Sequence, residues 1–213
     1  MDRPLRIVLT GAPGSGKSTA VRCFGDEPQW QPLRDELGGV TVVREAATQV
    51  YTQRNATWDR LDERSRRDAQ RAIFRLQVQQ EQAAMEAAES AGHDLVLLDR
   101  GTIDGAAYWP DGADAYWLDL QTSMTEQLSR YDSVILLEST ASLGLYDGAA
   151  TNAIRFEDAP AALENAKLLA RLWGEHPAVH EVAATRELPD KLERIAAMLR
   201  QLTSKPSSNR QRS

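Results

Sequence analysis

The strongest constraint on what this chain can fold into is an eight-residue stretch near its start, Gly11-Ala12-Pro13-Gly14-Ser15-Gly16-Lys17-Ser18. Glycines at 11, 14 and 16 let backbone N–H groups turn inward around a phosphate, and a helix that follows presents its positive end to the same anion. The spacing puts Lys17 within reach of β- and γ-phosphates and the Ser18 hydroxyl where it holds Mg²⁺, with Thr19 as a second hydroxyl behind it. A simple flexible turn needs no particular flanks, whereas this device needs a buried strand before it and a helix after it. Both are written in the sequence. Leu5 to Thr10 is a short apolar run bounded by Pro4 and Gly11, and a helix is expected from about Gly16 to Phe24. The expected ligand is ATP, with GTP possible, together with Mg²⁺.

Further along, Gly25 to Gly39 is punctuated by glycine and proline and reads as a loop. Val40 to Val43 reads as a second strand ending at Arg44-Glu45. Ala46 to Ala91 contains neither Pro nor Gly, which predicts a short helix, a break near Asn55-Ala56-Thr57 and a long helix. Asp94 to Leu98 is the third strand, with Asp99-Arg100-Gly101 at its end, and a helical stretch leads to the fourth strand, Ser133 to Leu137. A polar loop from about Glu138 to Glu157 precedes a helix that starts near Asp158-Pro160 and runs to about Trp173. Ala178 to Val182 is a weaker fifth strand. In the final helix, from near Pro189, Leu192, Ile195, Ala196, Leu199 and Leu202 recur at helical spacing. Thr203 to Ser213 has no apolar residue and is expected to be a disordered tail. Strands that alternate with helices imply an α/β fold, a parallel sheet covered on both faces, in a single domain over residues 1–202.

In such a sheet, ligands bind at the carboxyl ends of the strands. Thr10-Gly11, Arg44-Glu45, Asp99-Arg100 and Glu138 all fall at expected carboxyl ends, so they should converge on one crevice. Asp99 closes an apolar strand, where an aspartate approaches Mg²⁺ directly or through water, or acts as general base toward an acceptor hydroxyl. Arg100 offers a planar donor fork for an acceptor or a transferring phosphoryl group. Glu45 either takes the proton of an acceptor hydroxyl or pairs with Arg100 or Arg44, and a first-turn helix glutamate is its ordinary alternative. Arg155, in the loop after the fourth strand, is the cation that a loop closing over a γ-phosphate needs, and Tyr146 in the same loop is a weaker ligand contact. Phe74, Gln77, Gln80 and Glu81 share faces of the long helix. They offer a ring to stack on and a carboxamide to read a polar edge, although each taken singly reads as packing or solvated surface.

Composition narrows the partners. A net charge of −6 argues against nucleic acid as the main partner. Cys23 is the only cysteine, which leaves no thiolate cage for zinc and reads as a small core residue. No apolar run approaches the ~20 residues of a membrane span, and the first strand begins within a few residues of Met1, so a soluble cytoplasmic protein is expected. The tail cations Lys205, Arg210 and Arg212 fall short of a lipid-binding cluster. His93, His176 and His180 show no ligand spacing, and Pro177 interrupts the helical face that His176 and His180 would share. The length leaves little room for the extra helical subdomain of a ring motor. The expected partners are a nucleotide and a small-molecule acceptor, with neither nucleic acid nor membrane, in a monomer or homodimer.

Taken together, GAPGSGKST, the REAATQVY segment after the second strand, the long Gln-rich helix, LLDRGTIDGAAY after the third strand and a loop ending in IRFED resemble one family. It is the P-loop kinase-like ATPases related to nicotinamide riboside kinase domains, deoxynucleoside kinases and thymidylate kinases. The resemblance covers roughly residues 5 to 200. It implies a P-loop NTPase fold, three layers α/β/α with a five-stranded parallel sheet, and use of Mg·ATP. It also implies a catalytic or metal-associated Asp99, acceptor or phosphate contacts from Arg100, a role for Glu45, and a lid arginine at Arg155 within a lid of about 138–157. Asp104 and Tyr108 match the extended DRG motif. The chain departs from many nucleotide kinases in offering only one lid arginine, and Asp147-Gly148 stands farther from it than the corresponding pair does in the nearest relatives. The expected activity is transfer of the γ-phosphoryl group of Mg·ATP to a hydroxyl of a nucleoside-like small molecule. The alternative is a regulatory ATP- or GTP-binding switch with slow hydrolysis and a protein partner.

Overall fold

The computed structural model of the chain describes residues 3–144 and 159–204. Arg155, Tyr146, most of the lid segment and the tail beyond Ser204 lie outside the described residues. Five strands, β1 (Leu5–Thr10), β2 (Val40–Val43), β3 (Leu95–Asp99), β4 (Ser133–Leu137) and β5 (Val179–Val182), form one sheet in the order β2-β3-β1-β4-β5. Every pairing is parallel, with Leu9 opposite Asp99 on one side of β1 and opposite Ile135 on the other. Parallel neighbours need crossovers, and the helices supply them.

Side chains alternate across the sheet, so each strand feeds two cores. Ile7, Leu9, Leu95, Leu97, Ile135 and Leu137 face α1 (Lys17–Asp26), α2 (Gln31–Glu36) and α8 (Leu188–Thr203) through Val21, Phe24, Leu33, Leu192, Ile195 and Leu199. Val8, Val96, Leu98 and Val134 face the other layer. There Met85 of α4 (Glu63–Ala91), Tyr116 of α5 (Ala113–Leu120), Leu128 of α6 (Met124–Leu128) and Leu169 and Trp173 of α7 (Ala159–Trp173) pack against them. Cys23 is buried in the first core, as a small core residue should be.

Local signals set the helix ends. Asp62 caps α4 by accepting from the Ser65 amide (2.8 Å), and Gly92, at φ 69°, ends it in the left-handed conformation. The expected break after α3 (Ala46–Arg54) is an Asn55 at φ 48° followed by a turn at Trp58–Arg60. The segment 25–39, read as a loop, departs from that expectation. It holds a 3-10 turn, Pro28–Trp30, and then α2, each with a proline in its first positions, where a missing N–H costs nothing. Trp30 packs edge-on to Phe24 (4.8 Å between centroids), and that tertiary contact gives these turns a core to sit on. The last helix also runs on to Thr203, the first residue of the expected tail. Among the described residues no helix is long and apolar enough to cross a membrane.

Candidate active site

The carboxyl ends of β1, β2, β3 and β4 meet on one edge, and the phosphate loop runs from the end of β1 into α1. Gly11 has φ 136°, and a Cβ there would stand 2.2 Å from the Leu137 carbonyl oxygen, so neither the backbone nor the space admits another residue. Two hydroxyls beyond β4 hold the loop from outside. Ser139 Oγ donates to the Pro13 carbonyl (2.7 Å) and Thr140 Oγ1 to the Gly14 carbonyl (3.3 Å). Those bonds occupy two loop carbonyls, which an anion held by the loop's N–H groups would otherwise meet unpaired.

Lys17 is 5% exposed, and its Nζ donates to the Gly11 and Ala12 carbonyls (2.7 and 2.9 Å) and to Ser15 Oγ (2.9 Å). Burial first, and then the Arg100 charge, push its pKa down to about 7 against the pull of Asp99, Glu45 and Asp104. Asp99 stands at the end of β3, 2% exposed. Burial and the Glu45 carboxylate push it up to about 6, while Lys17, a hydrogen bond from Ser18 and Arg100 act in the other direction. Its Oδ1 is buried with no hydrogen-bond partner. An orphaned carboxylate oxygen whose carboxyl group already meets the Ser18 hydroxyl is a hard-oxygen donor set that fits Mg²⁺. Among the described residues, no group of three or more His, Cys, Asp or Glu side chains is placed to hold a metal. The fit therefore rests on Ser18 and Asp99.

Beside the loop lies a slot lined by Ala47, Tyr51, Trp58, Ile73, Phe74, Tyr108 and Tyr116, an aromatic wall suited to a planar ring. Its inner end is charged. Arg100 Nε donates to Glu45 Oε1 (2.7 Å) and Nη1 to Asp104 Oδ1 (2.6 Å), with the guanidinium 5.8 Å from the Tyr108 ring centre. Asp104 also accepts from Thr10 Oγ1 (2.8 Å) and from the Trp173 indole (3.1 Å), which ties the slot to the root of the phosphate loop. Glu45 accepts from Thr48 Oγ1 (2.5 Å) and, of its two expected arginine partners, pairs with Arg100. Arg44 pairs with Asp26 instead.

Sequence reasoning thus brought Lys17, Ser18, Glu45, Asp99 and Arg100 to one edge, and the structure puts them there. It left Asp104 and Tyr108 without chemistry, and both belong to the site. Among the long-helix residues, Phe74 and Gln77 line the slot, whereas Glu81 lies wholly buried behind it and Gln80 is not among its walls. Gln77 spends its amide on Glu81 Oε1 and the Arg100 carbonyl (3.0 and 3.1 Å). The residue missed is Gln70. It is 3% exposed, lines the slot, and its carboxamide bonds no other described residue. It stands one helical turn before Phe74, on the same face, and that i,i+4 spacing was the available signal. The histidines have structural roles or none in the site, His176 bonding the Tyr131 carbonyl (3.0 Å).

A sequence-family model for the AAA domain matches residues 6–191 of the chain. No curated protein matches its sequence. Among solved structures, the NadR protein in complex with NAD and AMP-PNP superposes with a TM-score of 0.59 at 13% identity, over 96% of this chain and 51% of that one. The chain therefore spans about half the length of that protein, and at this identity the likeness speaks for the fold. With the match over most of its length, a five-stranded parallel sheet and an intact phosphate loop, the chain belongs to the AAA domain family and is a P-loop nucleotide-binding protein.

Proposed function

We propose that the chain is a Mg·ATP-dependent kinase that phosphorylates a hydroxyl of a small, ring-bearing, nucleoside-like molecule. The observation that carries this reading is the slot. An aromatic-walled cavity, with the carboxamide of Gln70, which bonds no other described residue, on its wall, opens onto Glu45 and Arg100 beside the phosphate loop. A protein that only hydrolysed its nucleotide would need no second pocket there. NadR, similar in fold, is seen with both NAD and AMP-PNP, which is compatible with two ligand sites on such a frame.

In this reading the triphosphate lies in the loop formed by residues 11–18, with Lys17 on its terminal phosphates. Ser18 and Asp99 hold Mg²⁺, which supplies charge neutralisation on the phosphate oxygens. The ring stacks among Tyr51, Phe74 and Tyr108, and Gln70 reads its polar edge. The acceptor oxygen bonds to the γ-phosphorus as the bond to the ADP oxygen breaks. Glu45, which lines the slot as Asp99 does not, takes the hydroxyl proton. Arg155, outside the described residues, is the cation this reading assigns to the transferring phosphoryl group, and the soluble, cytoplasmic, monomeric or homodimeric state belongs to the same proposal.

The test is ADP release across nucleosides, ribosylnicotinamide and related alcohols, with Lys17→Ala and Asp99→Asn as controls. Strong stimulation by one acceptor, reduced at least about a hundredfold in either variant, is the expected outcome. Tight nucleotide binding with slow turnover that no acceptor stimulates would overturn it in favour of a nucleotide-dependent switch.

A further inference from the structure

Arg100 has φ 74°, in the left-handed region that residues with a Cβ avoid, so something must hold its backbone there. Hydrogen bonds to its backbone pin the turn. The Arg100 amide donates to the Leu9 carbonyl (3.0 Å), its carbonyl accepts from Gln77 Nε2 (3.1 Å), and the Gly101 amide meets Asp104 Oδ2 (3.3 Å). The Thr102 amide donates to the Tyr131 hydroxyl oxygen (2.7 Å). Two of these clamps, Gln77 and Tyr131, converge on one buried group. Glu81 Oε1 accepts from Gln77 Nε2 (3.0 Å) and from the Tyr131 hydroxyl (2.9 Å), while Oε2 accepts from Arg130 Nε and Nη2 (3.1 and 2.6 Å).

The polarity of that arrangement is the point. A carboxylate that only accepts forces Gln77 to present its NH₂ group, and the second hydrogen of that group is the one that reaches the Arg100 carbonyl. It likewise takes the single proton of the Tyr131 hydroxyl, leaving the phenol oxygen to accept from the Thr102 amide. Burial beside Glu81 keeps that hydroxyl protonated, far above the ordinary tyrosine range. Were residue 81 unable to accept, nothing would fix which end of its carboxamide Gln77 presents to the Arg100 carbonyl, and the Tyr131 proton would turn to Thr102 Oγ1, 2.9 Å away. Both clamps would then lose the polarity that Glu81 imposes. Glu81 is 0% exposed and lines no part of the slot, so it acts only through these neighbours.

We propose that Glu81 is a positioning residue: its carboxylate fixes the hydrogen-bond polarity of Gln77 and Tyr131, and through them holds the 100–102 turn that presents Arg100 to Glu45, Asp104 and the acceptor slot. Its effect on turnover rests on the kinase reading above. Its effect on Arg100 does not.

The experiment uses the full chain and two readouts. The first is the Arg100 Nε–H resonance in a ¹⁵N-correlated spectrum, assigned by its loss in Arg100→Lys. Bonded to Glu45 and buried, that proton should exchange slowly. Glu81→Met is expected to shift the resonance and hasten its exchange, whereas Glu81→Gln combined with Arg130→Met, which keeps an acceptor oxygen toward Gln77 and Tyr131 without a facing cation, is expected to restore it. The second readout is acceptor-dependent turnover. kcat/KM for the acceptor should fall roughly tenfold to a hundredfold in Glu81→Met and recover in the double variant, with the nucleotide dissociation constant little changed. An unaltered Arg100 signal in folded Glu81→Met overturns the proposal. So does a double variant no better than Glu81→Met, which would make the residue a packing element only. If Glu81→Met does not fold, Tyr131→Phe decides in its place, since removing the hydroxyl must disturb the same Arg100 resonance. A disturbed resonance in a protein that no acceptor stimulates would support the positioning role and refute the kinase.

Discussion

Arg100 concentrates the cost of this site in one residue. Its left-handed backbone is disfavoured by on the order of 1 kcal/mol, and its guanidinium lies buried between two carboxylates, at 2.7 Å from Glu45 and 2.6 Å from Asp104. A buried ion pair adds little over an apolar pair of the same shape, but breaking one is expensive because an uncompensated charge is left behind. Asp104 is the harder partner to lose. It is 4% exposed and also serves the Thr10 hydroxyl, the Gly101 amide and the Trp173 indole. Asp104→Ala is therefore expected to lower the free energy of unfolding by about 3–5 kcal/mol, measured by urea titration. A loss under about 1 kcal/mol would mean that Glu45 alone compensates the arginine. The sequence announced Asp104 through the DRG-x-x-D spacing but gave no hint that its four donors come from residues 10, 100, 101 and 173. Gly105 in the same motif is explained by space, since a Cβ there would stand 2.2 Å from the Tyr116 hydroxyl.

At the scale of elements, the phosphate loop depends on a segment that is distant in sequence. Ser139 and Thr140, just past β4, bond the Pro13 and Gly14 carbonyls 126 residues away. Ser139→Ala removes one of these supports. It is expected to weaken binding of a non-hydrolysable ATP analogue by roughly threefold to tenfold, the equivalent of one neutral hydrogen bond. An unchanged dissociation constant by titration calorimetry would show that the loop's own glycines suffice. The same dependence on distant contacts explains the segment 25–39. Its glycines and prolines read as a loop because they break periodicity, yet Pro28 and Pro32 sit in first turns and Phe24 gives Trp30 something to pack on. By contrast α4 was legible almost residue by residue, since an aspartate cap, an uninterrupted run of helix formers and a terminal Gly92 are all local.

For the molecule as a whole, the two cores on either face of one sheet act as a single frame, and Lys191 ties its last helix to the site edge. Lys191 is 3% exposed and donates to the Glu138 carbonyl at the end of β4. Burial pushes its pKa from 10.5 down to about 8, against the pull of Glu138. Between those values the unfolded chain holds more protons than the folded one, so stability gains from this group as pH rises through that window. The loss of stability in Lys191→Met, read from urea midpoints, is thus expected to be larger at about pH 10 than at about pH 7. Equal losses at both would show that the amine is not held in a desolvated state. What the sequence determined by itself was whatever has a short range: the phosphate loop with its strand and helix, the alternation of elements that forces a parallel three-layer sheet, and the strand ends at which Glu45, Asp99 and Arg100 stand. The tertiary structure decided which partners those residues take, that Gln70 rather than Gln77 keeps its carboxamide for the slot, and that Glu81 works from behind it. Those choices are set largely by contacts between residues distant in sequence, such as Gln77 with Arg100 and Thr10 with Asp104, and periodicity says which face a residue occupies but not what will be packed against it.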